Sequence, residues 1–215
     1  VSTIVTEPSI FGRIVTGNDV EGWLLACLKK WSGTYIAELE RQHGLTAGEL
    51  ARVRAWRTSQ SYDKWPEDQL PCVIVRSVGI GTVPSTDGAG WHSAEYVMQL
   101  DNVVSARTEE QSHKLAMLYA AAHGALVLQR PSLDGQADGV RWLADDYTQQ
   151  AFESRRTLAC ATTVIQVKVE NVVNSRSGPT TPNDPLAVET DPWADWPTVQ
   201  THDEQIQNQP IGGGS

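Results

Sequence analysis

The 215-residue chain has only three cysteines, Cys27, Cys72 and Cys160. They are widely separated, odd in number and set in apolar runs, which excludes a disulfide framework and a paired-thiol metal site and leaves them as small reduced core residues. No apolar run approaches the roughly 18 residues of a membrane span, and the opening segment VSTIVTEPSIFGR has no charged region ahead of an apolar stretch. The expectation is a soluble protein without an export signal and with no membrane partner. Basic residues are also scarce, 17 against 26 acidic, for a formal charge of -9. A protein that coats DNA takes its affinity from neutralising phosphates, so such a role would need a local basic patch.

The signatures of common chemistries are missing as well. Gly79-x-Gly81 follows a strand-like run but lacks a third glycine, and Pro84 and Gly88 make a loop where a dinucleotide fold needs a helix start. No Gly-Lys-Ser or Gly-Lys-Thr occurs for a phosphate loop. His113 and His123 stand ten apart on one helix, too far for the i, i+4 pairing of a helical zinc site, and read as surface or helix-end histidines. The closing strand has Gln166 where a nuclease pattern of acid, any residue, lysine would need a carboxylate before Lys168. No serine sits in a glycine elbow. The sequence therefore points to no metal, no cofactor and no enzymatic turnover.

What is present is enough apolar side chain, 40% of residues, to close one core. Residues 1–18, broken by Pro8, Gly12 and Gly17, read as an N-terminal arm. From a cap at Asn18 or Asp19, apolar residues recur at Val20, Trp23, Leu24, Cys27, Leu28, Trp31, Tyr35 and Leu39, the spacing of one buried helical face. Gly33 is a place for this helix to break and His43-Gly44 a natural stop. Thr46 and Glu49 form a capping-box pattern predicting a second helix to about Arg57, with Arg52, Arg54 and Arg57 on its exposed face.

Cys72 to Val78 reads as a central strand, Gly79 to Gly90 as a mobile hairpin loop, and Trp91 to Val104 as the return strand. In that return strand Ala94, Tyr96, Met98 and Leu100 face inward and Glu95, Gln99 and Asp101 face water. Ser105 or Thr108 starts a strong helix with Leu115, Leu118, Tyr119, Ala122 and Leu126 on one face, ended by Pro131. Val140, Trp142 and Ala144 alternate in a third strand whose exposed end is Asp145-Asp146. In the last strand Thr163, Ile165, Val167 and Val169 face one way. Thr162, Gln166, Lys168 and Glu170 face the other, solvated or against a partner. From Arg176 the chain turns to Pro, Ser, Thr, Asn and Asp, with five prolines before residue 200 and one basic residue against six acidic ones, which reads as an extended acidic tail. The fold class is thus α+β, a small antiparallel sheet with helices on one face, organised as arm 1–18, domain 19–175 and tail 176–215.

The elements in this order, from about Asp19 to Val173, resemble the tail terminator proteins of long-tailed bacteriophages. The segments that carry the likeness are the opening helix Val20 to Leu39, the strands PCVIVRSVG at 71–79 and AEYVMQL at 94–100, and the helix from SARTEEQSHKLAMLYAAAHGAL at 105. They continue with the RPSLDG turn at 130–135 and the strand ACATTVIQVKVENVV at 159–173. The resemblance implies a structural virion protein of the phage neck, assembled in the host cytoplasm and generally a homohexameric ring. Such a ring caps the major tail tube protein, ends tail polymerisation and meets a head connector or stopper protein. DNA passes through its lumen without specific binding.

Candidate contact residues follow from the sequence. Arg52, Arg54, Trp56 and Arg57, with Tyr62, Lys64 and Trp65, make the one basic and aromatic patch, suited to protein contact and set against the plainer alternative of a solvated face with Trp56 tucked inward. Gly81, Pro84, Asp87 and Gly88 lie in the long loop, and Trp193 and Trp196 are apolar anchors in the acidic tail. Three other readings stand beside the terminator: a head-completion or connector-stopper protein, a DNA-binding module using segment 47–57, and an enzyme without a recognised motif.

Overall fold

The computed structural model describes residues 14–58, 66–81, 85–86, 90–153 and 156–174. The arm up to residue 13, the tail from residue 175, and Trp65, Pro84, Asp87, Gly88, Trp193 and Trp196 lie outside the described residues. Among the described residues two long helices, α1 (Gly17–Gln42) and α2 (Glu109–Gln129), accompany six strands: β1 (Ala55–Arg57), β2 (Cys72–Ile80), β3 (Ser85–Thr86), β4 (Trp91–Ala106), β5 (Gly139–Glu153) and β6 (Arg156–Asn174). The sheet order is β1-β2-β4-β6-β5, with the short β3 paired to the start of β4. All the long strands pair antiparallel, as expected, and β1 alone joins parallel to β2. β2, expected to be central, is second from one edge, and β4 occupies the middle.

α1 begins two or three residues earlier than the sequence indicates, because Thr16 rather than Asn18 or Asp19 caps it. The Thr16 hydroxyl accepts from the Asp19 N–H, and the Asp19 carboxylate accepts the Thr16 N–H at 2.8 Å in return, so two otherwise orphaned donors are satisfied. The helix does not break at Gly33. The bare Gly33 Cα instead lets the Arg52 guanidinium reach the Gly33 carbonyl. At the other end Gly44 takes a left-handed φ of 65°, and the Leu45 N–H closes back on the Glu40 carbonyl at 2.9 Å, the arrangement that favours glycine just past a helix.

The helix expected over residues 46–57 does not form. Only the carboxylate half of its capping box survives, Glu49 accepting the Thr46 N–H at 2.8 Å. The competing partner is Glu40 of α1, whose carboxylate takes the N–H groups of Gly48 at 3.1 Å and Leu50 at 2.7 Å, with Gly48 in a left-handed conformation. Donors already satisfied by a side chain have nothing to gain from helical carbonyls. The chain then runs extended, Arg54 donating its N–H to the Pro71 carbonyl at 2.8 Å, and pairs with β2 as β1.

Both helices cover one face of the sheet. Val20, Leu24 and Leu28 of α1 and Leu126 and Val127 of α2 pack on Val73, Val75, Tyr96, Met98, Leu100, Ile165, Val167 and Val169. β6 shows the alternation that its sequence announces, and β5 continues past Asp145-Asp146 to Glu153. A second register shift between Asp146 and Gln149 lets it stay paired with the long β6. A smaller cluster, Leu70, Cys72, Ile74, Val103 and Leu158, closes one end of the opposite face. That face is less wet than its sequence implies: Asp101, Thr162 and Gln166 are all buried.

The approach of α2 to β5 depends on one glycine. A Cβ built on Gly124 would stand 2.1 Å from Cζ3 and 2.2 Å from Cη2 of Trp142, so the indole lies directly on the helix backbone. Alanine normally favours a helix interior by about 1 kcal/mol over glycine. Gly124→Ala is expected to reverse that sign and cost about 1–3 kcal/mol, read from the urea midpoint. Combining it with Trp142→Leu should return most of the loss that Gly124→Ala adds, as a double-mutant cycle would measure.

Candidate functional site

The described residues among those singled out in the sequence, Arg52, Arg54, Trp56, Arg57 and Gly81, do not converge on one site. Arg52 and Arg54 are exposed, and Trp56 and Arg57 are half-buried. The Arg52 guanidinium is tied to α1, Arg57 donates to the Gln69 side chain, and Trp56 packs against the main core with its ring 6.0 Å from that of His123. Trp56 therefore takes the inward position, and the basic side chains flank the edge strand β1. Gly81 lies flat on the sheet, its N–H bonded to the Glu95 carbonyl at 2.7 Å. A Cβ there would meet Val97 Cγ2 at 2.7 Å and Gln166 Nε2 at 2.8 Å.

The face away from the helices carries polar rows that cross the strands. Asp101, 1% exposed, accepts from the Thr162 hydroxyl at 2.6 Å and the Gln99 amide at 2.9 Å and pairs with Arg76 at 3.3 Å. Further along β6, Gln166 donates to Glu95 at 2.6 Å and accepts from Arg141. These bonds explain how groups expected in water can be buried: the Asp101 carboxylate and the Gln166 amide are met by side chains on their own and the neighbouring strands. The alternation of the sequence shows which face such residues occupy, and only the register shows that they satisfy one another.

A second polar group lies inside the helix-sheet core. His123, expected at a surface or helix end, is fully buried. Its Nε2 is 2.7 Å from Ser32 Oγ and its Nδ1 is 2.6 Å from Asn102 Oδ1, so α1, α2 and β4 meet at one imidazole. Asn102 also donates its amide to the Ala161 carbonyl. With Asn102 Oδ1 as acceptor, Nδ1 carries the ring proton and Nε2 receives the Ser32 hydroxyl. The spacing is that of a nucleophile, a base and its orienting group. Ser32 is 3% exposed, however, and burial lowers the His123 pKa from 6.5 to about 4, which leaves a neutral, weakly basic ring that fastens three elements.

Other reactive side chains are similarly subdued. Burial pushes the thiols of Cys27 and Cys72 up to about 11 and that of Cys160 to about 12, so all three stay protonated at neutral pH. Cys27 and Cys72 are core residues, as their sequence setting implies, and Cys160 is half-buried. At the RPSLDG turn Asp134 takes Lys30 Nζ at 2.8 Å, Trp31 Nε1 at 3.2 Å and Arg130 at 3.2 Å, while the Arg130 guanidinium stacks 3.3 Å above the Trp31 ring. Hydrogen bonding to Lys30 leads the causes that hold the Asp134 carboxyl below its usual range. Among the described residues no group of three or more His, Cys, Asp or Glu side chains is placed to hold a metal ion, and no helix is long and apolar enough to cross a membrane.

No family model matches the chain, and no curated protein matches it. Among solved structures, a chain in the virion of a native gene transfer agent particle is similar to it over 61% of this chain and 91% of that chain, with a TM-score of 0.38 and 14% identity.

The buried imidazole makes stability depend on pH with a definite sign. The unfolded chain binds a proton below its ordinary 6.5 and the native ring only below about 4. The His123 contribution is therefore complete above pH 6.5 and is lost as pH falls from there towards 4, by on the order of 3 kcal/mol. His123→Gln should be less stable than the parent by about 1–3 kcal/mol at pH 8. Denaturant titrations at a series of pH values should show that gap narrowing between pH 6.5 and 4; a constant gap would place the ring's ionisation elsewhere.

Proposed function

We propose that this chain is a structural virion protein that closes into a ring, caps the tail tube, ends tail polymerisation and joins the tail to the head connector. The observation that carries the proposal is the coincidence of the paired elements with the segments on which the sequence resemblance stands. α1, β2, β4, α2, the turn at 130–135 and β6 fall on those segments in the same order. A cap of this kind works by geometry alone. One surface complements the end of the tube, the opposite surface cannot receive another tube subunit, and closure of a heterologous contact into a ring leaves no free ends. No turnover belongs to the role. The negative overall charge suits a lumen through which DNA slides without being held.

The sheet offers contact surfaces of the right kind. Its edges are β1 and β5, and the chain between β2 and β4 leaves the polar face at Gly81. The acidic stretch bearing Trp193 and Trp196 has the composition of a strap that could engage a neighbouring subunit or virion protein.

The native mass of the purified chain, alone and with isolated tail tubes, tests the proposal, with imaging of the tube ends. A ring, or a monomer that becomes a ring only at tube ends, is the expected result; a chain that stays monomeric and ignores tubes overturns it. Replacing residues 82–89 with a short Gly-Ser loop, which spares the paired Ile80 and Gly81 and removes only the two-residue β3, is expected to lengthen tails while leaving the helical circular dichroism bands and the thermal melt close to those of the parent. Unaltered tail length in that variant would remove the loop from the capping surface.

A further inference from the structure

Six large apolar side chains among the described residues are exposed, and they fall into two groups, one at β2 and one on β5 and α2. Val78 and Ile80 lie at the β2 side. Ile14 joins them, since the Val15 carbonyl beside it accepts from Tyr96, the partner of Ile80. Leu143 lies on β5 at the other edge, next to the Trp142 indole that rests on Gly124, and Met117 and Leu128 stand on the same helix. We propose that these two sides bind each other between copies of this chain, the β5 side of one copy against the β1–β2 side of the next. The inference rests on the ring reading above and names its interface.

The register of the sheet supports the match. Arg57, Ile74, Asp101, Thr162 and Asp146 form one row across β1, β2, β4, β6 and β5, so the row begins on a cation at one edge and ends on an anion at the other. The apolar groups are matched in height as well. β2 has its extra residue, Val78, just past the row of Ser77, Met98, Ile165 and Trp142, and β5 has its extra residue, Leu143, just before the same row. A second copy placed beside the first along the hydrogen-bonding direction therefore brings Asp145 and Asp146 towards Arg54 and Arg57, and Leu143 towards Val78.

Strand direction is consistent, because β5 runs antiparallel to β1 and β2 across the intervening strands. The contact is made by side chains. The outward N–H of Ser77 on β2 is already taken by the Glu21 carboxylate at 2.5 Å, so a neighbour's strand cannot pair there. The charges are unequal but opposed: Glu67 and Asp68 on the turn before β2 accompany Arg52, Arg54 and Arg57, while Asp138, Asp145 and Asp146 accompany Arg141 on the β5 side. Two unlike surfaces that complement each other generate a closed ring when the rotation between copies allows it.

Charge reversal separates this interface from the ring itself. Asp145→Arg with Asp146→Arg reverses one side, and Arg54→Glu with Arg57→Glu reverses the other. Sedimentation at low salt should show each variant associating at least about tenfold more weakly than the parent. An equimolar mixture of the two should recover the parental mass, as should one chain carrying all four changes, because each reversed side then meets its complement. A thermal melt of each variant establishes that it is folded, and Leu143→Lys with Arg54→Glu alone, which leaves Arg57 on Gln69, provides a milder pair with the same expected weakening. If the parent forms rings and folded single-side variants do so equally well, the edges named here are wrong and the ring stands. Failure of the mixture and of the four-change chain to recover would also overturn the pairing. A parent that stays monomeric with and without tail tubes removes both.

Discussion

A neutral imidazole in the middle of the protein limits how the two helices can sit on the sheet. His123 has both ring nitrogens engaged, one towards α1 through Ser32 and one towards β4 through Asn102. Sliding either helix by one turn would strand a buried donor or acceptor at a cost comparable to a large part of a domain's net stability. Apolar packing alone tolerates such slips far better, since leucine meets leucine about as well one turn along. The network therefore fixes the register that lets Trp142 lie on Gly124 and Trp56 reach the core.

The sequence makes legible those elements whose residues answer mainly to their own periodicity. α1, β2, β4, α2 and β6 carry strong alternation or helical spacing, and each forms where that spacing places it. The failures share a different cause, a side chain distant in sequence that settles the local conformation. Segment 46–57 carries helix signals, but Glu40 claims two of its backbone donors and the Pro71 carbonyl another. Gly33 has the composition of a helix breaker, and there it admits Arg52. Asp145-Asp146 resembles a strand end until β6 proves long enough to pair beyond it. No pattern along α2 distinguishes a histidine aimed at solvent from one aimed at Ser32, because the spacing of His123 fits either face.

The contact residues show the same division. That Arg52, Arg54, Trp56 and Arg57 belong together is evident from their proximity in the chain, yet their separate orientations depend on α1, Gln69 and His123. Arg57 and Asp146 stand 89 positions apart in sequence, and only the pairing of five strands places them at the two ends of one row. The polar rows on the outer face follow the same rule, as Asp101, Thr162 and Arg76 become one network through register.

Glu21 on Ser77 has a consequence for the protein at high concentration. A sheet whose outer strand offers unoccupied donors is a template for edge-to-edge fibre growth. One carboxylate projecting from a helix denies such growth that hydrogen bond.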